Sequence, residues 1–205
     1  MGNVGARVHF KQTKMKMKPE FLPEGTWQSA KGMMQGVLDE LGMDTTSPGL
    51  HDTPARFVAM LAEAIRGPEP FAFTTFKSET DEMVVVRDIP FSALCEHHLM
   101  PFMGTATVAY VPRNKQVGLS KIPRALAQVA SGPNNQERIG GVLADLLVHE
   151  LDPKGVAVLL RCRHSCMEAR GVKAHGAETI TSKLLGVFLD KPEARAEFMA
   201  IALSK

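Results

Sequence analysis

The sequence contains no apolar stretch approaching 18 residues, which excludes a transmembrane helix. Basic residues near the N-terminus are not followed by an apolar segment, so we expect no secretory signal. Hydrophobic residues make up 44% of the chain and charged residues 22%, a composition typical of globular proteins rather than disordered ones. The length of 205 residues fits one domain with a small accessory segment.

Beyond the N-terminus, neither positive nor negative charge predominates strongly. Arg7, Lys11, Lys14, Lys16 and Lys18 lie in the first 18 residues with no acidic residue among them. The formal net charge is +2, and the remaining 19 basic and 22 acidic residues leave the body at −3. This balance gives little support for nucleic-acid binding, and we expect neither a nucleic-acid nor a membrane partner. The basic residues predict a flexible arm over 1–24.

Cysteine is also scarce, and three cysteines cannot form a complete disulfide framework. Together with the missing signal, this indicates a reducing, cytoplasmic location. In such a chain, cysteines beside histidines are candidate metal ligands. Cys95 opens the segment Cys95–Glu–His–His98, and Cys166 closes the segment His164–Ser–Cys166.

Hydrophobic spacing and β-branched runs predict the secondary structure. The element order is two helices, then ββααββ, then a short C-terminal helix. No parallel βαβ repeat is present, so we predict an α+β fold with an antiparallel sheet. We divide the chain into the arm, a helical segment over 25–78 and a catalytic domain over 79–205. The predicted helices cover 27–41, 54–67, 122–130, 136–151 and 192–202, and the predicted strands cover 83–89, 105–111, 156–161 and 179–189.

The Cys and His residues fit a catalytic zinc site, which takes three protein ligands and keeps a fourth position for water. Cys95 and His98 form an i, i+3 pair, and Cys166 offers a distant third ligand of a kind that zinc accepts. The alternative is that both cysteines and His98 are buried packing residues. That alternative leaves His97 unexplained, because two adjacent histidines in a Glu-flanked loop cannot both belong to the core. We interpret Cys162 as a packing residue.

A second group of residues suggests an anion site. Ser120 is placed to cap a helix, and Lys121 and Arg124 follow in its first turn. Cations at a helix N-terminus are electrostatically unfavourable, so they suggest an anionic ligand; a solvated basic turn is the alternative. Arg170 is a further cation of this kind. The segment Gln136–Arg138 places an acid at the next helix start, where simple capping is the alternative.

Five motifs in order resemble the GTP cyclohydrolase I family, and the resemblance extends from about residue 27 to residue 200. Asp52–Arg56 resembles a helix segment of that family as well. The motifs are CEHHLMPFMG over 95–104, VAYVP over 108–112, GLSK over 118–121, QER over 136–138 and HSCMEARG over 164–171.

The resemblance implies a tunnelling fold whose ββααββ units assemble into a toroidal homodecamer with active sites at subunit interfaces. It implies Zn²⁺ held by Cys95, His98 and Cys166. The implied reaction is hydrolytic opening of the guanine imidazole ring of GTP, loss of formate and rearrangement to 7,8-dihydroneopterin triphosphate. The folate (tetrahydrofolate), biopterin and 7-deazaguanine routes all start from this reaction.

The resemblance also implies roles for individual residues. The catalytic ones are His97 and His164 as proton relays and Ser120 in opening of the ribose. The substrate-binding ones are Glu137 and Gln136 at the guanine edge, and Lys121, Arg124, Arg170 and Arg56 at the triphosphate.

The chain departs from the family pattern at four places. Ala59 stands where the family often has Lys, the segment 132–135 differs, and Lys183 and Leu185 replace small or polar residues. Two alternatives remain. One is another enzyme of the same fold, such as a nitrile reductase, which needs a nucleophilic Cys without zinc. The other is a non-catalytic, zinc-stabilised assembly protein, which normally shows four protein ligands.

Overall fold

A computed structural model describes residues 17–204, so most of the predicted arm lies outside the described residues. The described residues form two compact units that divide after Glu63. No helix of the described part is both long and apolar enough to cross a membrane. The helices are α1 (Glu24–Glu40), α2 (Thr53–Arg66), α3 (Lys121–Val129), α4 (Gln136–Leu151), α5 (Ser165–Glu168), α6 (Val187–Asp190) and α7 (Pro192–Leu203). The strands are β1 (Thr75–Lys77), β2 (Val84–Cys95), β3 (Pro101–Val111), β4 (Lys115–Val117), β5 (Pro133–Asn134), β6 (Gly155–His164) and β7 (Thr179–Gly186).

The N-terminal unit contains α1 and most of α2. Pro54 lies in the first turn of α2, as predicted, because its fixed φ suits that position. In α1 Trp27 is the buried residue, while Met33 is 70% exposed and Leu41, which caps the C-terminus of the helix, is 73% exposed. Both residues belong to the apolar spacing that predicted this helix, and the helix is present. Apolar spacing predicts a helix, but it does not predict which of the apolar side chains are buried by other residues of the same chain.

The second unit is built on a sheet of five strands in the order β5-β2-β3-β6-β7. The pairs β2/β3, β3/β6 and β6/β7 are antiparallel, and the two-residue β5 pairs parallel with β2. Strands β1 and β4 form a separate antiparallel pair. The chain order β2, β3, α3, α4, β6, β7 confirms the predicted ββααββ core and the α+β tunnelling fold.

Apolar clusters cover both faces of this sheet. In β6, Val156, Val158 and Leu160 pack in the cluster that contains α3 and α4 residues, and the alternate residues Ala157 and Leu159 pack with Phe188 and Phe198. This alternation follows from the period of two along a strand. A strand buried on both faces holds its terminal residues in fixed positions, which matters for His164 at its end.

Strand β7 is shorter than predicted. We expected a strand through Leu189, but β7 ends at Gly186 and the chain continues as α6. Gly186 has φ of +58°, a left-handed conformation that favours glycine and ends the strand. The turn brings Phe188 against Phe198, with ring centroids 5.7 Å apart, so packing outweighs the strand propensity of this segment.

At Gly104, β3 lies too close to β6 to accommodate a side chain. A Cβ atom at this position would overlap the carbonyl oxygen of Arg161 and lie 2.7 Å from the Cα of Cys162. Those atoms belong to the strand backbone and cannot move aside without disturbing the ladder. Gly141 in α4 offers a contrast, since a Cβ there would meet nothing within 4 Å.

We therefore predict that Gly104→Ala lowers the free energy of unfolding by about 3 kcal/mol, because it forces two paired strands apart. Gly141→Ala is the matched control and is expected to raise the free energy of unfolding by about 0.5–1 kcal/mol, because alanine favours a helix interior. Urea denaturation measures both. Equal effects of the two substitutions would contradict this account of Gly104.

Candidate active site

The first part of the site is the turn between β2 and β3. The Cys95 amide donates to the Met100 carbonyl at 2.8 Å, and the Leu99 amide donates to the Cys95 carbonyl at 2.8 Å. Leu99 has φ of +53°, which a non-glycine residue adopts only when its surroundings impose it. The strands reach further than predicted, so Cys95, His97 and His98 lie on a tight turn rather than a long loop.

Glu96 ties this turn to the start of α4. Its carboxylate accepts hydrogen bonds from Asn135 Nδ2 at 2.8 Å and from Arg138 Nη1 at 2.7 Å. These two bonds hold the pKa of Glu96 below its ordinary value. Asn135 also caps α4 by accepting from the Arg138 amide at 2.8 Å. Asn135 belongs to the segment that departs from the family pattern, and here it braces the site.

The second part of the site comes from the end of β6. His164 is the last residue of β6 and lies opposite Phe102 of β3. The chain then turns into α5, where Ser165 Oγ donates to the Pro101 carbonyl at 2.5 Å. This turn places Cys166 Sγ 3.9 Å from Cys95 Sγ, although the two residues are 71 positions apart.

Cys95, His98 and Cys166 form a group that could hold one metal ion, with ligand atoms all within 4.8 Å of one another. Cys95 Sγ lies 3.9 Å from both Cys166 Sγ and His98 Nδ1. Two sulfurs bound at about 2.3 Å to one tetrahedral zinc are about 3.8 Å apart, so the residues fit zinc. This is the group that the sequence predicted.

Cys162 takes no part in this group. It is 1% exposed in the core, and burial raises the pKa of its thiol to about 12. A thiol with so high a pKa is protonated at neutral pH and unreactive. Its interpretation as a packing residue agrees with this environment.

The metal group lines a cavity of about 170 Å³ together with His97, His164 and Glu137. Both adjacent histidines of the turn therefore face this cavity, as the sequence predicted for at least one of them. Arg170 lies beside the group, with Nη1 2.7 Å from His98 Nε2. The other ring nitrogen, His98 Nδ1, is the one near the sulfur of Cys95.

The His164 ring is held on two sides. It stacks on Phe102 with centroids 4.6 Å apart and planes 8° apart, and its Nε2 lies 2.9 Å from Gln136 Oε1. Burial lowers the pKa of His164, and the nearby carboxylate of Glu137 partly offsets that effect. The ring is thus fixed in orientation and favoured in its neutral form, as suits a proton acceptor.

Not every predicted site residue meets this cavity. Ser120 stands at the N-cap of α3 but makes no capping hydrogen bond, and neither it nor Lys121 nor Arg124 lines the cavity. Lys121 Nζ lies 5.6 Å above the ring of Phe71. Arg56 lies in the N-terminal unit, where Nη2 is 3.4 Å from Asp52 Oδ2.

Sequence reasoning missed three residues that shape the site, namely Phe102, Asn135 and Thr179. Phe102 supports His164, Asn135 braces Glu96, and Thr179 lines the cavity beside Gln136. Strand register places Phe102 and Thr179, and one sequence carries no direct signal for register. Asn135 is placed by its position as the N-cap of α4. Of the departures, Leu185 packs against the core, where an apolar side chain is favoured.

Comparisons with known proteins identify the family of this chain. Residues 30–203 match the family model described as GTP cyclohydrolase I. A protein named GTP cyclohydrolase 1 from Geobacillus kaustophilus is 43% identical over 185 residues, covering 88% of this chain and 98% of the relative. One of the same name from Bacillus subtilis is 46% identical over 168 residues, covering 80% and 88%.

A solved structure, the apo form of the archaeosine synthase QueF-Like, aligns with a TM-score of 0.45 at 13% identity. The alignment covers 53% of this chain and 97% of that one. The family model and the sequence relatives each match most of the chain, and the range matched by the family model contains all three positions of the metal group. This chain therefore belongs to the GTP cyclohydrolase I family.

Proposed function

We propose that this chain is a GTP cyclohydrolase I, which opens the guanine imidazole ring of GTP with water, releases C8 as formate and yields 7,8-dihydroneopterin triphosphate. The observation that carries the proposal is that Cys95, His98 and Cys166 share one cavity with His97 and His164. A possible metal site and two acid–base groups therefore converge in a member of this family. Neither a zinc-free nucleophilic cysteine nor a four-ligand structural zinc accounts for this combination.

Zinc is the metal that we propose for the site, held by the two thiolates and the imidazole. When bound, zinc supplies a water whose pKa is lowered toward about 7. The site leaves room for it, because three protein ligands are present and the cavity adjoins them. Thiolate ligands need a reducing environment, so we propose a cytoplasmic location.

The acid–base chemistry falls to His97 and His164. Ring opening and ribose opening both move protons at guanine nitrogens and at a ribose oxygen, and imidazole is the side chain suited to this near neutral pH. Ser120 is our candidate for the ribose step. Glu137 is exposed at the cavity and presents a carboxylate that can accept hydrogen bonds from the N–H groups of the guanine edge.

The triphosphate needs cations, and we assign it Lys121, Arg124, Arg170 and Arg56. Arg170 is already beside the metal group, and Lys121 and Arg124 open α3. Two cations in the first turn of a helix raise its energy unless an anion binds there. A triphosphate satisfies this requirement.

We further propose that the active site is shared between subunits of a ring-shaped homo-oligomer, a decamer as the family resemblance implies. Two observations support this proposal. Ser120, Lys121 and Arg124 do not line the cavity of their own chain. In the described part of the chain, the outer edge of β7 pairs with no further strand, and Ile180 on it is 51% exposed. Exposed strand edges are usually paired or covered.

Metal analysis tests the ligand assignment. We predict about one zinc per chain in the purified protein and loss of most of it in Cys166→Ser, because a three-ligand site loses a thiolate. Cys162→Ser is the matched control, since Cys162 lies in the core outside the metal group, and it should keep its zinc. Retention of zinc by Cys166→Ser, or its loss from a folded Cys162→Ser, would overturn the assignment.

Substitutions can separate chemistry from binding. His164→Ala should lower turnover about 10²-fold or more, because a positioned general acid–base contributes at least that much. Its equilibrium binding of GTP should stay within about threefold, since no phosphate contact is removed. Arg124→Ala should instead weaken GTP binding by about ten- to a hundredfold, because it removes a charge-assisted hydrogen bond. If His164→Ala lost binding and kept turnover, the roles would be reversed.

The same two variants test the assembly. Light scattering should give the parent a mass near that of a decamer. His164→Ala and Arg124→Ala subunits are mixed in equal amounts, dissociated, reassembled and assayed at low GTP. If each site joins residues of two subunits, about a quarter of the sites contain an intact His164 and an intact Arg124, so the mixture should recover about a quarter of the parental rate. Two variants that stay inactive after confirmed mixing would place each complete site within one chain.

A further inference from the structure

Gln136 is a buried polar residue at the start of α4, 1% exposed, and all of its side-chain polar atoms have partners. Its Nε2 lies 3.1 Å from the Leu160 carbonyl oxygen, 3.0 Å from the Thr179 carbonyl oxygen and 3.0 Å from Thr181 Oγ1. Its Oε1 lies 2.9 Å from His164 Nε2. The amide therefore bridges strands β6 and β7 to the candidate base.

These neighbours fix which end of the amide faces which partner. Two of the three groups around Nε2 are backbone carbonyls, which can only accept hydrogen bonds. Turning the amide over would place its oxygen against two other oxygens in a buried site, at a high cost in desolvation. The NH₂ group of Gln136 must face β6 and β7, and Oε1 must face His164.

The orientation of the amide in turn fixes the proton on His164. Oε1 carries no hydrogen, so the bond to His164 forms only if the ring donates from Nε2. A neutral imidazole protonated at Nε2 carries its lone pair on Nδ1. Among residues 17–204 no group hydrogen-bonds His164 Nδ1, and the ring, stacked on Phe102, lines the cavity.

We propose that Gln136 is a positioning residue that holds His164 in its Nε2–H form and leaves Nδ1 as the nitrogen available to water or substrate. The catalytic half of this inference rests on the proposed function, and the tautomer does not. We expected Gln136 to contact the substrate, and its engaged amide favours this indirect role.

The test is magic-angle-spinning NMR of the full-length, zinc-loaded protein labelled with ¹⁵N-histidine, at a pH where His164 is neutral. The His164 signals are identified by their loss in His164→Asn. We expect a protonated Nε2 and an unprotonated Nδ1 in the parent. A neutral ring protonated at Nδ1 and not at Nε2 in the parent would overturn the proposal, independently of the results for the variants.

One variant and a control extend the test. Gln136→Met keeps the volume but removes the acceptor, so His164 should show a mixture of both tautomers. Gln116→Met, in β4, removes a different side-chain hydrogen bond, from the partly buried Gln116 amide to Ser78 Oγ at 3.1 Å, and should leave His164 unchanged. Unchanged His164 signals in folded Gln136→Met would contradict the proposal.

Activity gives a second measurement. Gln136→Met should lower kcat by about ten- to a hundredfold with KM changed less than about threefold, since it misdirects a base without touching a phosphate contact. Combined with His164→Ala it should add little further loss, because both act through one ring. Full additivity would show that Gln136 does not act through His164. If the parent released no formate, the proposed function would fail while the NMR result still decided the tautomer.

Discussion

The site depends on one structural constraint, namely that β3 pairs with β2 on one side and with β6 on the other. Antiparallel pairing brings the end of β2 and the end of β6 to the same edge of the sheet. Cys95 and Cys166 meet there with their sulfurs 3.9 Å apart. The register is protected by Gly104, whose missing side chain lets β3 and β6 lie close. A shift of one residue would turn His164 to the opposite face of the sheet and remove it from the cavity.

Rigidity around this edge comes from polar groups as well as from the apolar core. Glu96 is bonded to Asn135 and Arg138, and Gln136 is bonded to both β6 and β7. The N-terminus of α4 thus contacts both halves of the site. Polar networks whose members are hydrogen-bonded favour a single arrangement of side chains, which is what a metal centre and a directed base require. The left-handed Leu99 persists because this framework imposes it.

Much of this arrangement could be predicted from the sequence. The spacing of Cys95 and His98 and the motif around Cys166 pointed to the metal group, and β-branched runs located all four long strands. Local patterns did not reveal contacts set by register, such as His164 on Phe102. They also did not show that the Gln136 side chain is hydrogen-bonded to backbone carbonyls. Nor did they show that β7 ends at Gly186, after which Phe188 packs against Phe198. Such features depend on partners distant in the sequence, which propensity does not specify.

The most direct test follows the carbon that the reaction should remove. GTP radiolabelled at C8 is incubated with zinc-loaded protein, with protein stripped of metal by a chelator, and with stripped protein after zinc is restored. The account predicts labelled formate and an unlabelled pterin triphosphate in the first and third samples, and unreacted GTP in the second. Label that stays on the nucleotide with zinc-loaded protein, or formate release that continues without metal, would contradict it.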